Sequence, residues 1–264
     1  MDLGDVANHN RAAWNRQSRE GNEWTRPVDS ATIARARRGE WEIILTPTRP
    51  TPRSWLGDVR GRDVLCLASG GGQQAPILAA AGARVVSFDL SEEQLAKDRR
   101  VAEGAGLELD LVQGDMADLS DVARESFDLI VNPVSTVFVP DVRPVWRECH
   151  RVLRPGGTLL TGFMNPLFYL FDHDEARESG SLVARYPLPY AETEPESIPP
   201  RRREAVSRGE AAEFSHSLEA QIGGQLEAGF VLVGLYEDSW TDEATLLNAL
   251  TPTFLATRAL RTPR

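Results

Sequence analysis

The chain has 264 residues, with 29 lysines and arginines against 39 aspartates and glutamates, and its formal net charge is −10. This length suits one α/β domain with additions, and the acidic balance excludes a general binder of nucleic acid or of anionic membranes. A small molecule is therefore the expected partner, and the composition leaves the oligomeric state open.

The N-terminal region, residues 1–56, is polar and rich in tryptophan, and helices are predicted near 5–19 and 30–40. Residues 45–53 contain three prolines, which lack a backbone donor and cannot continue a helix. They are predicted to form an extended link into the core.

From residue 62 onward, apolar strands alternate with helices, and we predict a core over 57–163. Continuous apolar strands separated by helices are typical of a parallel sheet that is covered on both faces. The predicted strands are 62–68, 84–89, 107–112, 127–132 and 157–163, and the predicted helices are 73–82, 91–104 and 142–152.

Residues 164–212 interrupt the alternation with aromatic, charged and proline-rich sequence, so an insert that caps the site is predicted there. The region 213–264 is predicted to complete the sheet. It contains a helix over 213–228, a strand over 230–238, a short helix over 242–249 and a last strand near 253–260.

The two cysteines, Cys66 and Cys149, form neither a CxxC pair nor a cysteine–histidine cluster. Both are predicted to be buried, reduced thiols in a cytoplasmic protein. No stretch reaches transmembrane length, no signal peptide is predicted, and no set of histidines and acids has the spacing of metal ligands.

The most informative stretch is VLCLASGGGQQAPILAAAGARVVSFD, residues 64–89. A strand that breaks into Gly70, Gly71 and Gly72 before a helix lets backbone amides approach a ligand closely. A second strand then ends on Asp89, which could accept hydrogen bonds from ribose hydroxyls or could cap the next helix, although Ser91 competes for that cap. The pattern predicts a site for a nucleoside cofactor.

Two cofactor classes fit this glycine loop. Gly70, Gly72 and Ala75 satisfy the GxGxxG/A pattern of nicotinamide dehydrogenases, with Asp89 at a suitable distance. Against that class, the sequence has no second βαβ half of dinucleotide type and no pair of residues for hydride transfer. Lys97, the only lysine, is expected to face solvent on the helix after Asp89.

Over residues 60–165 the chain resembles a class I S-adenosylmethionine-dependent methyltransferase. VLCLASGGG stands where that family has VLDLGCGTG, so Ala68 replaces the first glycine and Cys66 replaces an acid. QGDM (113–116), FDLIVNP and LRPGGTLL follow in the family's order. The layout is most similar to the small-molecule branch, and it resembles the quinone-biosynthesis methyltransferases.

The resemblance implies a role for each matching residue. Asp89 would take the ribose hydroxyls, Leu90 would lie against adenine, Asp115 would accept from the adenine amino group, and Met116 would offer its backbone amide. The other predicted cofactor contacts are Ala68, Ser69, Gly70, Gly71, Gly72 and Asn132. Asn132 is equally consistent with a structural residue at a strand end.

The acceptor would lie beside the residues after the fourth strand, and candidate contacts are mainly aromatic. These are Trp14, Ser135, Phe138, Tyr169, Tyr186 and Tyr190. Any one of the aromatic residues could equally be a packing residue. His173 and His216 are the best-placed candidates for a general base, although each is more often structural than catalytic.

The resemblance implies a seven-stranded, mostly parallel, doubly wound α/β sheet with an antiparallel last strand, an N-terminal helical lid and an insert after the fifth strand. The expected function is transfer of a methyl group from S-adenosylmethionine to a small, apolar or aromatic acceptor, with S-adenosylhomocysteine as product and no metal. The alternatives are an NAD-dependent oxidoreductase and a catalytically silent S-adenosylmethionine-binding protein.

Overall fold

A seven-stranded sheet forms the centre of the computed structural model, which describes residues 3–193, 198–241 and 244–263. The strands are β1 (Asp63–Leu67), β2 (Arg84–Asp89), β3 (Asp110–Gln113), β4 (Phe127–Asn132), β5 (Leu153–Met164), β6 (Phe230–Asp238) and β7 (Phe254–Arg261). Their order in the sheet is β3-β2-β1-β4-β5-β7-β6. The first five strands pair in parallel, and β7 runs antiparallel to both β5 and β6. The predicted sheet with an antiparallel last strand is confirmed.

Helices flank the sheet. They are α1 (Leu3–Glu20), α2 (Ser30–Arg37), α3 (Arg53–Leu56), α4 (Gln74–Ala80), α5 (Glu92–Ala105), α6 (Arg143–Val152), α7 (His173–Ser179), α8 (Pro200–Ser207) and α9 (Gly224–Glu227). Short 3₁₀ turns occupy Glu23–Thr25, Thr136–Phe138, Pro166–Leu170 and Leu246–Ala249, and a π-helical turn spans Glu219–Gly223.

The core lies on both faces of the sheet because the side chains of a strand alternate between its faces. Val64 and Cys66 of β1 belong to the cluster on one face, and Leu65 and Leu67 belong to the cluster on the other. All four side chains are fully buried. Both Cys66 and Cys149 are buried and free, as predicted.

Helix α5 begins with a side-chain cap that determines what Asp89 can do. The Ser91 hydroxyl accepts a hydrogen bond from the Gln94 amide at 3.2 Å, and the helix ends at Gly106, whose φ is +61°. Ser91 is therefore the N-cap. The side chain of Asp89, two residues earlier, is left for the pocket.

The expectation that Lys97 faces solvent is wrong. Its Nζ donates to the carbonyl of Ser18 at 2.7 Å, and to the carbonyl and hydroxyl of Thr25 at 2.6 and 2.8 Å. All three ammonium donors are thus satisfied, which compensates for burial of the charge. Lys97 fastens the end of α1 and the turn after it to α5.

Several predicted boundaries also differ. The segment predicted as a helix over 213–228 is extended at its start, because the Phe214 amide donates to the Val137 carbonyl at 2.7 Å. Helical backbone begins only near Leu218, first as the π-helical turn and then as α9. β5 begins at Leu153 rather than at 157. The short helix predicted over 242–249 is a 3₁₀ turn over Leu246–Ala249, and residues 242–243 lie outside the described part of the chain.

Candidate functional site

One large pocket, of about 400 Å³, opens at the edge of the sheet where β1, β2 and β4 end. This is the edge at which open α/β sheets bind ligands. Two groups of residues line it. The loop side, which follows β1, β2 and β3, consists of Ala68–Gly70, Asp89–Leu90 and Gly114–Met116. The aromatic side includes Val6, Asn10, Trp14, Ser135, Phe138, Met164, Glu213, Trp240 and Phe254.

The glycine loop is held by hydrogen bonds from its own backbone amides. The Gly70 amide donates to Asp89 Oδ2 at 2.9 Å, the Gly71 amide to the Gln94 carbonyl at 3.1 Å, and the Gly72 amide to Asp98 Oδ1 at 2.7 Å. A Cβ on Gly70 would lie 2.8 Å from Gln94 Cβ. Any side chain at residue 70 would therefore displace its neighbours.

The three glycines do not share one role. Gly70 lines the pocket, whereas Gly71 and Gly72 do not. They lie under the N-terminal segment instead, since the Val28 amide donates to the Gly72 carbonyl at 2.8 Å and a Cβ on Gly72 would come within 2.9 Å of Pro27 Cβ. Of residues 68–72, Ala68, Ser69 and Gly70 line the pocket.

Ala68 adopts a φ of +47°, in the left-handed region that a residue with a side chain rarely occupies. Its amide donates to the Phe88 carbonyl at 2.7 Å, and this bond fixes the turn at the end of β1. A strained backbone at the mouth of a pocket is typical of a functional site.

Asp89 lies at the centre of the loop side. Oδ2 accepts from Gly70, Oδ1 accepts from the Ser91 amide at 2.9 Å, and burial raises the pKa of the carboxyl to about 6. Each oxygen keeps a second lone pair, so the carboxylate can still accept from a ligand.

Asp98 lies behind the loop and does not line the pocket. Besides the Gly72 amide, it accepts from the Ser87 hydroxyl at 2.6 Å. Burial raises the pKa of Asp98 to about 7, and the nearby Asp89 carboxylate adds to this effect. Asp98 is not among the predicted site residues, because an acid inside a charged helix belongs to no motif.

Asp115, Leu90 and Met116 all line the pocket, as their predicted roles require. Asp115 Oδ1 accepts from the Ala117 amide at 2.9 Å. Asn132, in contrast, does not line it. Its Nδ2 donates to the Leu67 carbonyl and to Ser135 Oγ, and its Oδ1 accepts from Thr161 Oγ1 at 2.9 Å. The Asn132 side chain ties three strands together.

Three of the predicted acceptor contacts, Trp14, Ser135 and Phe138, line the pocket, and the rings of Trp14 and Phe138 meet edge to face with centroids 5.0 Å apart. Tyr169, Tyr186 and Tyr190 do not line it. The rings of Tyr169 and Tyr190 pack together behind its wall, at 4.9 Å.

The two histidines proposed as bases both lie away from the pocket. His173 Nε2 pairs with the Phe168 carbonyl at 2.8 Å, and its Nδ1 pairs with Thr245 Oγ1 at 2.8 Å. His216 Nε2 pairs with the Thr136 carbonyl at 2.9 Å. Burial lowers the pKa of both rings, which favours their neutral form.

Asn10, which is not among the predicted site residues, joins three distant parts of the aromatic side. Nδ2 donates to the carbonyls of Phe138 and Ala212, at 2.9 and 3.1 Å, and Oδ1 accepts from the Ala212 amide at 2.7 Å. The sequence pattern that could have predicted Asn10 is its spacing, because Val6, Asn10 and Trp14 lie four residues apart and share one face of α1.

A cluster of ionised groups borders the same side. Arg202 donates to both oxygens of Glu192, at 2.8 and 2.7 Å, and to Glu210 at 3.1 Å. Glu213 Oε2 accepts from the Tyr169 hydroxyl at 2.8 Å. Arg202, Glu210 and Glu213 all line the pocket.

The described residues hold neither a helix that could cross a membrane nor a cluster of metal ligands. Across 3–193, 198–241 and 244–263, no helix is long and apolar enough to cross a membrane. Within the same ranges, no group of three or more histidines, cysteines and acids could hold a metal ion.

Comparisons of the sequence with known proteins agree on one family. The Methyltransferase domain family matches residues 65–161. The chain is 46% identical over 254 residues to the "Uncharacterized methyltransferase YbaJ" of Bacillus subtilis (strain 168), covering 96% of this chain and 97% of that protein. It is 31% identical over 127 residues to a ubiquinone biosynthesis O-methyltransferase of Pseudomonas syringae pv. tomato, covering 46% of this chain and 55% of that protein.

Solved structures share the fold at low identity. An S-adenosylmethionine dependent methyltransferase from Mesorhizobium loti has a TM-score of 0.60 at 22% identity, covering 79% of this chain and 95% of that one. The Burkholderia thailandensis 1,6-didemethyltoxoflavin-N1-methyltransferase, with 1,6-didemethyltoxoflavin and S-adenosylhomocysteine bound, has a TM-score of 0.59 at 17% identity. It covers 99% of this chain and 91% of that one.

Proposed function

This chain belongs to the class I S-adenosylmethionine-dependent methyltransferases, and from that premise we propose that it methylates a small, largely apolar or aromatic molecule. One observation carries the proposal: a single cavity joins the loop side to the aromatic side. A cofactor on the loop side and an acceptor on the aromatic side would lie next to each other in one cavity, with no water between them.

The chemistry of the loop side suits S-adenosylmethionine, which is the methyl donor of this family. We propose that Ala68, Ser69 and Gly70 border its methionine portion and that Asp89 accepts from its ribose hydroxyls. Asp115 would accept from the adenine amino group, between the side chains of Leu90 and Met116. Among the described lining residues, the loop side has no lysine or arginine, and this supports a phosphate-free cofactor over a dinucleotide.

On binding, the cofactor supplies a sulfonium methyl group that is already an activated electrophile. The work left to the protein is alignment of the nucleophile and exclusion of water. We propose that residues 1–56 act as a lid and residues 164–212 as a cap over the core of 57–163, with 213–264 completing the sheet. Trp14 of α1 and Phe138 after β4 would then contact the acceptor from two directions.

A structural neighbour supports the acceptor class. In the Burkholderia protein, the same fold holds a small organic substrate together with S-adenosylhomocysteine. The aromatic side here offers a surface for such a molecule, since Trp14, Phe138, Trp240 and Phe254 line it.

The test is labelled methyl transfer from S-adenosylmethionine to a panel of phenols, carboxylic acids, prenyl-like lipids and small polar amines. Turnover of the apolar or aromatic members is expected. Turnover confined to the small polar amines would overturn the acceptor class. Calorimetry with S-adenosylhomocysteine and NADH forms the control, in which only S-adenosylhomocysteine is expected to bind.

A further inference from the structure

Glu213 brings a carboxylate into the largely apolar aromatic side, at the edge that Arg202 and Glu210 also line. The residues around this part of the pocket include Val137, Met164 and Phe254, which pack in one apolar cluster. The Glu213 side chain keeps 26% of its surface exposed and lines the same pocket.

The backbone on both sides of Glu213 is fixed. The Ala212 amide is bound by Asn10, the Glu213 amide donates to Glu192 Oε2 at 2.9 Å, and the Phe214 amide donates to the Val137 carbonyl at 2.7 Å. Three consecutive amides are therefore paired. A carboxylate on such a segment is held in place before any ligand arrives, which lowers the entropy lost on binding.

One carboxylate oxygen of Glu213 accepts a hydrogen bond within the protein, and the other does not. Oε2 accepts from the Tyr169 hydroxyl at 2.8 Å. Oε1 lies 3.7 Å from Arg202 Nη2, which is too far for a hydrogen bond, and it receives none from the described residues. The two hydrogens of Arg202 Nη2 are already directed at Glu192 Oε2 and at the Ala211 carbonyl, at 2.7 and 3.0 Å.

Two neighbouring polar side chains of this side, Asn10 and Ser135, are already hydrogen-bonded within the protein. Asn10 uses both its donor and its acceptor atoms on the backbone. Ser135 Oγ accepts from Asn132. The single positive charge of Arg202 faces three carboxylates, those of Glu192, Glu210 and Glu213, so the cluster carries excess negative charge. Burial raises the pKa of Glu213 against the lowering effect of Arg202.

We infer that Glu213 determines the class of acceptor, by accepting a hydrogen bond at Oε1 from a hydroxyl or amine on an otherwise apolar molecule. The same negative charge disfavours acceptors that carry a carboxylate, because a like charge would be buried beside it. The inference rests on the proposed function and narrows it to neutral or cationic donors.

The test uses three probes with one ring system: 2-naphthol, 2-methoxynaphthalene and 2-naphthoate. Their affinities are measured by calorimetry with the protein saturated with S-adenosylhomocysteine. A hydrogen bond to a charged group predicts that 2-naphthol binds the wild type at least about tenfold more tightly than either of the others.

Two substitutions separate charge from hydrogen bonding. Glu213→Gln keeps an acceptor oxygen, so the preference for 2-naphthol over 2-methoxynaphthalene should survive in part while the discrimination against 2-naphthoate is lost. Glu213→Leu should abolish both preferences. Tyr169→Phe, which keeps the carboxylate, should retain them.

Glu204→Gln is the matched control, since Glu204 pairs with Arg208 on the surface of α8, away from the pocket, and its loss changes the net charge equally. Unchanged affinity for S-adenosylhomocysteine shows that each variant is folded. Equal binding of 2-naphthol and 2-naphthoate by the wild type, or preferences that both Glu213 variants retain, would overturn the inference. If no probe binds while S-adenosylhomocysteine does, the apolar acceptor proposal fails with it.

Discussion

The two sides of the pocket are built in different ways. The loop side lies entirely between residues 68 and 116 and comes from the ends of three successive strands. The aromatic side takes residues from positions 6 to 254, including α1, the turn after β4 and the start of β7. The loop side is therefore formed by residues that are near one another in sequence, whereas the aromatic side is formed by contacts between residues about 200 positions apart.

This difference determines what holds each side in place. On the loop side, Asp89 and Asp98 accept hydrogen bonds from backbone amides within 26 residues of them along the chain. On the aromatic side, Asn10 bonds to Ala212, 202 residues away. We therefore expect substitutions on the loop side to change the affinity for the cofactor. Substitutions of Asn10 should change the affinity of the aromatic side for an acceptor first.

Gly70→Val should produce the largest effect. Its Cβ would lie 2.8 Å from Gln94 Cβ and 3.1 Å from Asp89 Oδ2, and the rest of the side chain would enter the cofactor space. Affinity for S-adenosylmethionine is expected to fall at least 100-fold, about 3 kcal/mol, as measured by calorimetry.

The matched control for Gly70→Val is Gly104→Ala. Gly104 lies in α5, and a Cβ there meets nothing within 4 Å. Cofactor affinity should be unchanged, and the free energy of unfolding should rise by up to about 1 kcal/mol because alanine favours helix. Wild-type affinity in Gly70→Val would contradict a close approach of the loop to the ligand.

Asn10→Ala should break the aromatic side while sparing the loop side. It leaves the carbonyls of Phe138 and Ala212 and the Ala212 amide without their side-chain partner. The free energy of unfolding, measured in urea, is expected to fall by about 1–3 kcal/mol. S-adenosylhomocysteine should bind with unchanged affinity, whereas 2-naphthol should bind more weakly.

Asn165→Ala serves as the comparison for Asn10→Ala. Asn165 also bridges two backbone segments, through the Pro252 carbonyl and the Leu167 amide, but it does not line the pocket. It should destabilise the protein and leave 2-naphthol binding intact. An equal loss of 2-naphthol affinity in both variants would mean that Asn10 acts only through stability.

The same contrast explains what could be predicted from sequence. Strand and helix alternation is a local pattern, so the five parallel strands, the sheet type and the residues of the loop side were predictable. The order of motifs also identified Asp89, Asp115 and Met116, which all line the pocket.

The aromatic side was predicted only where the chain continues directly from the core, at Ser135 and Phe138, and on α1 at Trp14. Tyr169, Tyr186 and Tyr190 were predicted as contacts because they belong to the insert after the fifth strand, and none of them lines the pocket. Glu213 was missed because its environment depends on Arg202, Tyr169 and Asn10, whose proximity no local pattern encodes. The solvent-facing prediction for Lys97 failed for the same reason, since Ser18 and Thr25 are 79 and 72 residues away.

The affinity for S-adenosylmethionine is expected to depend on pH through two buried carboxyls at the glycine loop. Burial raises the pKa of Asp98 to about 7 and that of Asp89 to about 6, so both carboxyls take up protons as the pH falls from 8 to 5. Loss of these charges weakens the hold on the Gly72 and Gly70 amides and the attraction for a sulfonium cation. Affinity for S-adenosylmethionine should fall several-fold, on the order of 1 kcal/mol, over this range.

The Asp98→Asn variant removes one of the two titrating carboxyls. Protonation of Asp98 has opposite effects on protein stability and on cofactor affinity, so the two effects can be told apart. Because the folded-state pKa is raised, protonation of Asp98 favours the folded state, so its contribution to stability improves as the pH falls through 7 while cofactor affinity declines. In the variant, only the lower step, near pH 6, should remain in the affinity profile. A profile that is identical in both proteins would remove Asp98 from cofactor binding.

The smallest effect on function is expected from His173→Ala and His216→Ala. Both rings pair with backbone carbonyls and neither lines the pocket, so each stabilises the aromatic side from behind. S-adenosylhomocysteine affinity should stay within about twofold of the wild type, while the free energy of unfolding falls by about 1–2 kcal/mol through the lost hydrogen bonds. Labelled methyl transfer, measured where each variant is folded, checks this directly. If either variant folds and binds the cofactor but loses turnover, that histidine acts as a general base. The aromatic side must then open far enough to expose the ring to the acceptor.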